Sequence, residues 1–296
     1  MTISESQLDT WSKQGAVTQS RDTYGTIKGC LERADAPYAD KNYVVFLQGS
    51  YGNDTNIYAD SDVDLVIRVD SIFYKNIDAL SEADKAAYNA FFSTGGYSYK
   101  DFKAAVTAHL THFYGAAVQP GKKAIFVQGT GQRRAADVLP AAQYRKYHSF
   151  RSSLDQSYTD GIVFWTSDGV EIVNYPKQHS ANCTTKHQAT NSWFKPTARI
   201  LKNMRNAMIT ANYIREGLAP SYFLEGMLYN VPAAKFGGSY QQTMIEVLNW
   251  LRGCDRSTLI CANGMYKLLH PTSPVTWRAE NFEAYLSAAI RFWNDK

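Results

Sequence analysis

The chain has 296 residues, of which 45% are apolar, 14% aromatic and 20% charged, and its net charge is +4. This composition excludes a disordered chain, and no apolar run reaches the ~18–20 residues that a membrane-spanning helix needs. The charge is well below that of a dedicated nucleic-acid binder, and the N-terminus lacks the basic and apolar stretches of a secretion signal. We therefore expect a cytoplasmic protein that binds neither membrane nor nucleic acid stably.

The first half of the sequence alternates between helix and strand patterns. Apolar residues at helical spacing predict one helix over residues 5–36, with Gly25 and Gly29 as its weak points. The other predicted elements are strands at 43–47 and 62–69, helices at 82–93 and 99–114, and hairpins at 123–139 and 162–173. Together they predict a mixed α/β lobe.

The segment after the first strand joins a tight turn to a pair of acids. The strand ends at Gly49-Ser50, and the next strand begins with Asp62-Val63-Asp64. Gly49 lets the backbone approach a ligand closely, and the hydroxyl and N–H of Ser50, at a predicted helix start, favour phosphate. Alternation along the strand puts both carboxylates on one face, where their repulsion favours a divalent cation, Mg²⁺ above all.

Asp137 is the predicted third metal ligand. It interrupts an apolar strand, with Ala136 and Val138 turned to the opposite face. A solvated charge on an edge strand would produce the same pattern, so this alternative stays open. Three convergent carboxylates would hold two Mg²⁺ ions, for which Mn²⁺ could substitute.

From about residue 185 onward the patterns are helical throughout. Pro196 is predicted at the first position of one helix, a second helix starts at Pro220-Ser221, and further helices are predicted at 240–252 and 279–293. The apolar residues predicted to face the core of this half are Leu201, Met204, Met208, Leu224, Met227 and Leu228.

Several of these motifs resemble those of the DNA polymerase β-like nucleotidyltransferases, and most closely the cyclic GMP-AMP synthase/DncV-like branch, the bacterial CD-NTases. The stretches at 47–53, 60–66 and 136–141 resemble the segments that carry the three metal ligands, and 174–179 is also similar to the family. The stretches at 195–205 and 220–225 resemble the segments that hold the donor triphosphate. These last two favour the CD-NTase branch over other nucleotidyltransferases.

The resemblance implies an α+β fold with two lobes. Residues 1–184 would form the nucleotidyltransferase lobe, a mixed sheet flanked by helices together with the N-terminal helix. Residues 185–296 would form a helical lobe that contributes the donor triphosphate contacts. The active site would lie in the cleft between the two lobes.

The resemblance also implies a set of nucleotide contacts. Arg199, Lys202 and Asn206 share one helix face, and Ser221 lies at a helix N-terminus, where the dipole favours an anion. Lys202 and Ser221 are therefore predicted to hold the β- and γ-phosphates, with a solvated lysine as the ordinary alternative for Lys202. Tyr222 could stack on a base, although packing is the commoner role of an aromatic residue. The predicted contacts are Gln48, Gly49, Ser50, Arg199, Lys202, Ser221 and Tyr222.

The implied activity is synthesis of a cyclic di- or trinucleotide second messenger from NTPs, purine nucleotides foremost, by two-metal transfer with release of pyrophosphate. The implied role is bacterial anti-phage signalling by a monomer that a partner protein could regulate. Three alternatives stay open. The first is a nucleotidyltransferase acting on an RNA end or a protein side chain, and the second is a nucleotide sensor without catalysis. The third is a zinc-stabilised module built from Cys183, His187, Cys254 and Cys261.

Overall fold

The computed structural model describes residues 3–15, 17–58, 62–92 and 95–296. The chain forms two compact units. The helical unit comprises Met1–Val17, Gly49–Asp60 and Pro176–Lys296, and the sheet unit comprises Thr18–Gln48 and Ser61–Tyr175. These units differ from the predicted lobes of residues 1–184 and 185–296, because the first helix (Glu5–Ser12) and the turn at Gly49 belong with the helices. The C-terminal part of the helical unit begins at Pro176, where a helix starts, and not at the predicted residue 185.

Strands and α-helices of the described residues are numbered along the chain. The strands are β1 (Tyr43–Leu47), β2 (Val63–Asn76), β3 (Val118–Pro120), β4 (Ile125–Val127), β5 (Ala136–Phe150), β6 (Gln156–Trp165) and β7 (Glu171–Asn174). The helices are α1 (Glu5–Ser12), α2 (Thr18–Leu31), α3 (Gly49–Gly52), α4 (Glu82–Phe91), α5 (Tyr99–Tyr114), α6 (Pro176–Ala189), α7 (Phe194–Thr210), α8 (Ser221–Tyr229), α9 (Tyr240–Gly253) and α10 (Ala279–Asp295).

The seven strands form one mixed sheet in the sheet unit. Its main order is β1-β2-β5-β4-β3, and β6 pairs with both β5 and β7. β2 and β5 run parallel, whereas the other neighbours are antiparallel. The two predicted hairpins are confirmed as β4-β5 and β6-β7. β3 was missed because its three residues are too short to show an alternating pattern.

β2 departs from the strict alternation predicted for it. Val63 and Leu65 are buried as expected, but Val66 on the other face is fully buried and Arg68 is only 3% exposed. A strand inside a sheet is often covered on both faces, which replaces alternation by a continuous buried run. The buried Arg68 guanidinium is compensated by Asp70 at 2.6 Å and by Asp160 at 2.8 Å.

The predicted N-terminal helix is in fact two helices. α1 ends at Ser12 and α2 begins at Thr18, while Gly25 and Gly29 lie inside α2 and do not interrupt it. The break contains Gly15, whose N–H donates to the Asn56 carbonyl at 3.1 Å. A Cβ on Gly15 would lie 2.5 Å from the carbonyl carbon of Ile57, so only glycine permits this approach.

The described residues of the helical unit share one large apolar core. All six residues predicted to face it are buried: Leu201, Met204, Met208, Leu224, Met227 and Leu228. α7 begins at Phe194, so Pro196 is its third residue and not its first. α6 was missed because only His179 and Cys183 of its side chains are buried, which leaves no apolar stripe in the sequence. Among the described helices, none is long and apolar enough to cross a bilayer.

Candidate functional site

Two of the three predicted metal ligands lie opposite each other in the sheet unit, at the start of two parallel strands. Asp64 on β2 lies directly opposite Asp137 on β5, and Asp62 immediately precedes β2. Neighbouring strands are ~4.8 Å apart and paired residues project to the same side, so the carboxylates of Asp64 and Asp137 are adjacent. Asp62 is near enough for its charge to act on Asp137. β5 lies between β2 and β4, which excludes the edge-strand explanation of Asp137.

The electrostatics of this acidic group favour a bound cation. Burial raises the pKa of Asp137, and the negative charge of Asp62 raises it further. Both effects disfavour the fully ionised group, and a divalent cation would reverse them. Three carboxylates provide only oxygen ligands, which Mg²⁺ and Mn²⁺ prefer. The residues present therefore fit the predicted metal.

The turn after β1 is shaped by two left-handed residues. Gly49 has φ of 65° and opens the single-turn helix α3, which confirms the predicted helix start. The N–H of Asn53 donates to the Gly49 carbonyl at 3.1 Å, and that of Thr55 donates to the Ser50 carbonyl at 2.9 Å. Asp54 between them has φ of 54°, a conformation that a non-glycine residue seldom adopts. Tertiary contacts must therefore hold this turn.

Through its backbone, Gln48 connects the end of β1 to β2 beside Asp64. It is the last residue of the sheet unit, and its N–H donates to the carbonyl of Asp64 at 3.0 Å. This bond continues the β1-β2 pairing one residue beyond β1. The chain therefore leaves the sheet at a fixed point beside one of the predicted metal ligands.

Within the helical unit, basic residues of α7 hold the turn. Arg199 donates to the Asp54 carbonyl at 2.6 Å and to the carbonyl of Ser12. Lys195 forms an ion pair with the Asp54 carboxylate at 2.9 Å. The contacts seen for Arg199 are thus to backbone carbonyls, and its predicted contact with phosphate stays a prediction.

Lys202 and Ser221 have different partners within the helical unit, and their predicted contacts with phosphate stay a prediction. Lys202 is fully buried, and its ammonium lies 2.8 Å from the Glu225 carboxylate and 3.0 Å from the Thr55 carbonyl. It is therefore not a solvated lysine. Ser221 instead accepts a hydrogen bond from Arg205 at 3.0 Å, at the N-terminus of α8. The local charge at Ser221 comes from an arginine one helical turn beyond Lys202.

Tyr222 has the packing role. Its ring stacks on the His179 imidazole with centroids 4.9 Å apart, and its hydroxyl accepts a hydrogen bond from Asn263 at 3.0 Å. Burial strongly raises the pKa of its hydroxyl. The ring thus has packing contacts while remaining partly buried, and its predicted stacking on a base stays a prediction.

The zinc alternative fails in the described part of the chain. In that part, the potential metal ligands that lie together are His179, Cys183 and Glu225, whose ligand atoms are within 4.8 Å of one another. The residues predicted to bind zinc together with Cys183 are not among them. Nδ1 of His179 is buried without a hydrogen-bond partner, which would suit a ligand. However, the Lys202 ammonium already neutralises Glu225, and burial raises the pKa of the Cys183 thiol and keeps it protonated. The group does not favour zinc.

Comparison with known proteins identifies the family. A family model described as the cGAS/DncV-like nucleotidyltransferase C-terminal helical domain matches residues 181–294. The cyclic UMP-AMP synthase of Rhodothermus marinus is 41% identical over 99% of this chain and 98% of its own length. This chain is a bacterial CD-NTase. A cyclic dipurine nucleotide synthase of Elizabethkingia meningoseptica is 35% identical over 84% of each chain.

A solved structure has the same fold as this CD-NTase over nearly the whole of both chains. The structure of Rhodothermus marinus CdnE c-UMP-AMP synthase with Apcpp and Upnpp has a TM-score of 0.88 and 40% identity, covering 99% of this chain and 97% of that one. The predicted superfamily and fold class are thereby confirmed, with a mixed sheet flanked by helices and a C-terminal helical domain. Family membership makes the chain an enzyme, a nucleotidyltransferase.

Two residues of this CD-NTase that make central contacts around the proposed phosphate-binding elements, Glu225 and Arg205, were not predicted from the sequence. Glu225 is a single acid in the otherwise apolar helix α8, the same signal that identified Asp137 in an apolar strand. Arg205 lies three residues after Lys202 on α7, so both occupy neighbouring positions on one helix surface. The choice between two basic residues one turn apart depends on how α7 is rotated against α8, and a sequence pattern does not contain that rotation.

Proposed function

We propose that this CD-NTase makes a cyclic di- or trinucleotide from NTPs. The acceptor ribose hydroxyl attacks the α-phosphorus of a donor NTP, the bond to pyrophosphate breaks, and a second transfer closes the ring. The observation that carries this proposal is the register of Asp64 opposite Asp137, with Asp62 close enough to raise the pKa of Asp137. The activities named for the relatives support it, and anti-phage signalling is its proposed setting.

Asp62, Asp64 and Asp137 are the proposed catalytic residues and metal ligands. Two Mg²⁺ ions, when bound, would lower the pKa of the attacking hydroxyl and stabilise negative charge on the reacting phosphate. The protein's part is to hold three carboxylates at the ends of two rigid strands, so that little reorganisation is needed at the moment of reaction.

The proposed phosphate contacts are Ser50 and Ser221. Ser221 combines a hydroxyl, the N-terminus of α8 and the adjacent Arg205 guanidinium, three features that favour an anion. Gln48 and Gly49 would contribute through backbone geometry. For Arg199 and Lys202, the contacts seen in the helical unit support an indirect part, in which they hold the turn that carries Ser50.

ATP and UTP are the substrate pair we propose to test first. The reason is the Rhodothermus marinus relative, a cyclic UMP-AMP synthase. Purine nucleotides, the substrates expected foremost from the sequence, are the second candidate, because the Elizabethkingia meningoseptica relative is a cyclic dipurine nucleotide synthase.

The test is incubation of the purified protein with all four NTPs and Mg²⁺, followed by mass spectrometry and measurement of pyrophosphate. We expect a phosphatase-resistant product of low mass. A requirement for added RNA or protein would favour transfer to a macromolecule, and NTP binding without pyrophosphate release would favour a sensor. Asp64→Asn serves as the inactive control.

A further inference from the structure

A fully buried carboxylate lies in the helical unit, outside the proposed metal site. Oε1 of Glu225 accepts hydrogen bonds from the Thr55 hydroxyl at 2.5 Å and from the Lys202 ammonium at 2.8 Å. Oε2 accepts from the Asn53 amide at 3.1 Å and from the His179 imidazole at 2.7 Å. Two of these four donors belong to the turn after β1, and the other two lie on α7 and α6.

The charge on Glu225 is maintained despite its burial. Burial alone would raise the pKa of this carboxyl, but Lys202 and His179 overcome that effect and lower it. A buried carboxylate is stable only where every lone pair has a donor. Glu225 meets that condition, so its position among the four donors is narrowly determined.

The two turn residues that bind Glu225 also hold Gly49 and Ser50. The backbone N–H of Asn53 bonds to the Gly49 carbonyl, and the backbone N–H of Thr55 bonds to the Ser50 carbonyl. Each residue therefore contacts Glu225 with its side chain and the turn with its backbone. Two short series of contacts therefore lead from the Glu225 carboxylate to Gly49 and Ser50, the turn that carries the proposed phosphate contact Ser50.

The turn needs such support because its backbone is strained. Asp54 has φ of 54°, a left-handed conformation that is unfavourable for a residue with a Cβ, although aspartate tolerates it better than most. Strained conformations persist only where the surroundings impose them. Asn53 and Thr55 lie on either side of Asp54, and their side chains bind Glu225. Through these two contacts, Glu225 holds the backbone of Asp54 in its left-handed conformation.

We propose that Glu225 is a positioning residue of this enzyme, which fixes the Gly49-Ser50 turn through the side chains of Asn53 and Thr55. This inference rests on the proposed function, since it assigns the turn to binding of the substrate phosphates. A misplacement of a substrate-binding group by about 1 Å can lower a rate about 10²-fold, so loss of the anchor should be visible in kcat.

The test compares two substitutions of Thr55. Thr55→Val keeps the shape of the side chain but removes the hydroxyl that donates to Glu225, whereas Thr55→Ser keeps the hydroxyl. We expect Thr55→Val to lower kcat for pyrophosphate release about 10- to 100-fold, and Thr55→Ser to stay within about threefold of wild type. Circular dichroism and Tm confirm that both variants are folded at the assay temperature.

Glu225→Gln provides a second variant, because it keeps the size of the side chain and removes its charge. One of its amide hydrogens must then face a donor, so the anchor should loosen as in Thr55→Val. Hydrogen–deuterium exchange of the 49–55 backbone measures this directly. We expect faster exchange there in Thr55→Val and Glu225→Gln than in Thr55→Ser.

The outcomes separate this inference from the proposed function. If wild type releases no pyrophosphate from any NTP with Mg²⁺, the proposed function fails, and the exchange of residues 49–55 still tests the anchor. If Thr55→Val keeps the wild-type kcat or exchanges like Thr55→Ser, Glu225 does not position the turn and the inference is overturned.

Discussion

The two acidic groups of this CD-NTase respond to burial in opposite ways. In the sheet unit, burial and the charge of Asp62 raise the pKa of Asp137. In the helical unit, Lys202 and His179 lower the pKa of Glu225, although it is more deeply buried. The first group gathers like charges, whereas the second surrounds one charge with donors. Burial of a carboxylate therefore does not by itself fix the direction of its pKa shift, because the charges and donors around it decide that direction.

The contrast distinguishes an acidic group that would be stabilised by a bound cation from a carboxylate whose charge the protein already compensates. A group that is electrostatically unfavourable in the protein by itself gains stability from a ligand of opposite charge, and such groups concentrate at functional sites. A group whose charge is already compensated stabilises the fold only as long as all its partners remain. Neutralising a carboxylate should therefore have different consequences in the two units.

The largest effect is expected for Asp64→Asn in the sheet unit. The substitution removes a metal ligand, and a catalytic metal contributes several kcal/mol to stabilising the transition state, so pyrophosphate release should fall about 10³-fold or more. Circular dichroism should show an unchanged fold. An activity above a tenth of wild type would remove Asp64 from the proposed site.

Breaking the buried ion pair of Glu225 and Lys202 in the helical unit should mainly lower stability, because neither residue is proposed to contact the reacting atoms. Glu225→Met leaves the Lys202 ammonium buried and unpaired, which should lower the free energy of unfolding by about 3–5 kcal/mol. The double variant Glu225→Met/Lys202→Met should recover part of that loss, because no charge remains unpaired although Asn53, Thr55 and His179 still lose their acceptor. Urea denaturation measures both. Equal destabilisation of the single and double variants would falsify the compensation argument.

A smaller effect is expected for Ser221→Ala, which removes one proposed phosphate contact. A hydrogen bond to a charged group contributes about 1.5–3 kcal/mol, so KM for the NTP should rise about 10- to 100-fold while kcat changes less. Ser239→Ala is the matched control, because Ser239 also lies at a helix N-terminus, where it caps α9. Its KM should equal that of wild type. A similar rise in KM for both variants would indicate a general effect of losing a helix-terminal serine.

The smallest effect is expected for Asp137→Asn in metal-free protein. The raised pKa of Asp137 means that its ionised form destabilises the fold, so removing the charge should raise Tm at neutral pH by about 1–3 °C. The raised pKa also sets the sign of the pH dependence. The native state gains stability when the proton is bound, and this gain is lost as pH rises through the folded pKa.

The difference in Tm between Asp137→Asn and wild type should therefore shrink on acidification. Mg²⁺ provides the second check, because it should raise the Tm of wild type and not that of the variant. A lower Tm for Asp137→Asn at neutral pH without metal would contradict the assigned repulsion, and would place Asp137 with the compensated carboxylates.

Local patterns in the sequence predicted most of the elements and the three acids of the proposed metal site. β1, α5 and the start of β2 follow from apolar spacing and turn residues, and these depend on neighbours along the chain. Asp62 and Asp64 are close in sequence, and Asp137 was identified as a charge in an apolar strand. Its register opposite Asp64 matches what shared metal binding requires.

Tertiary structure alone decided the partners of the buried polar residues. Glu225 meets Asn53 and Thr55 across about 170 residues of chain, and nothing in the local pattern of either segment predicts that meeting. The same holds for Arg205, rather than Lys202, beside Ser221. Apolar burial follows from periodicity because it is non-directional, whereas a buried hydrogen bond needs one donor at one distance and angle, which depends on how whole helices are placed.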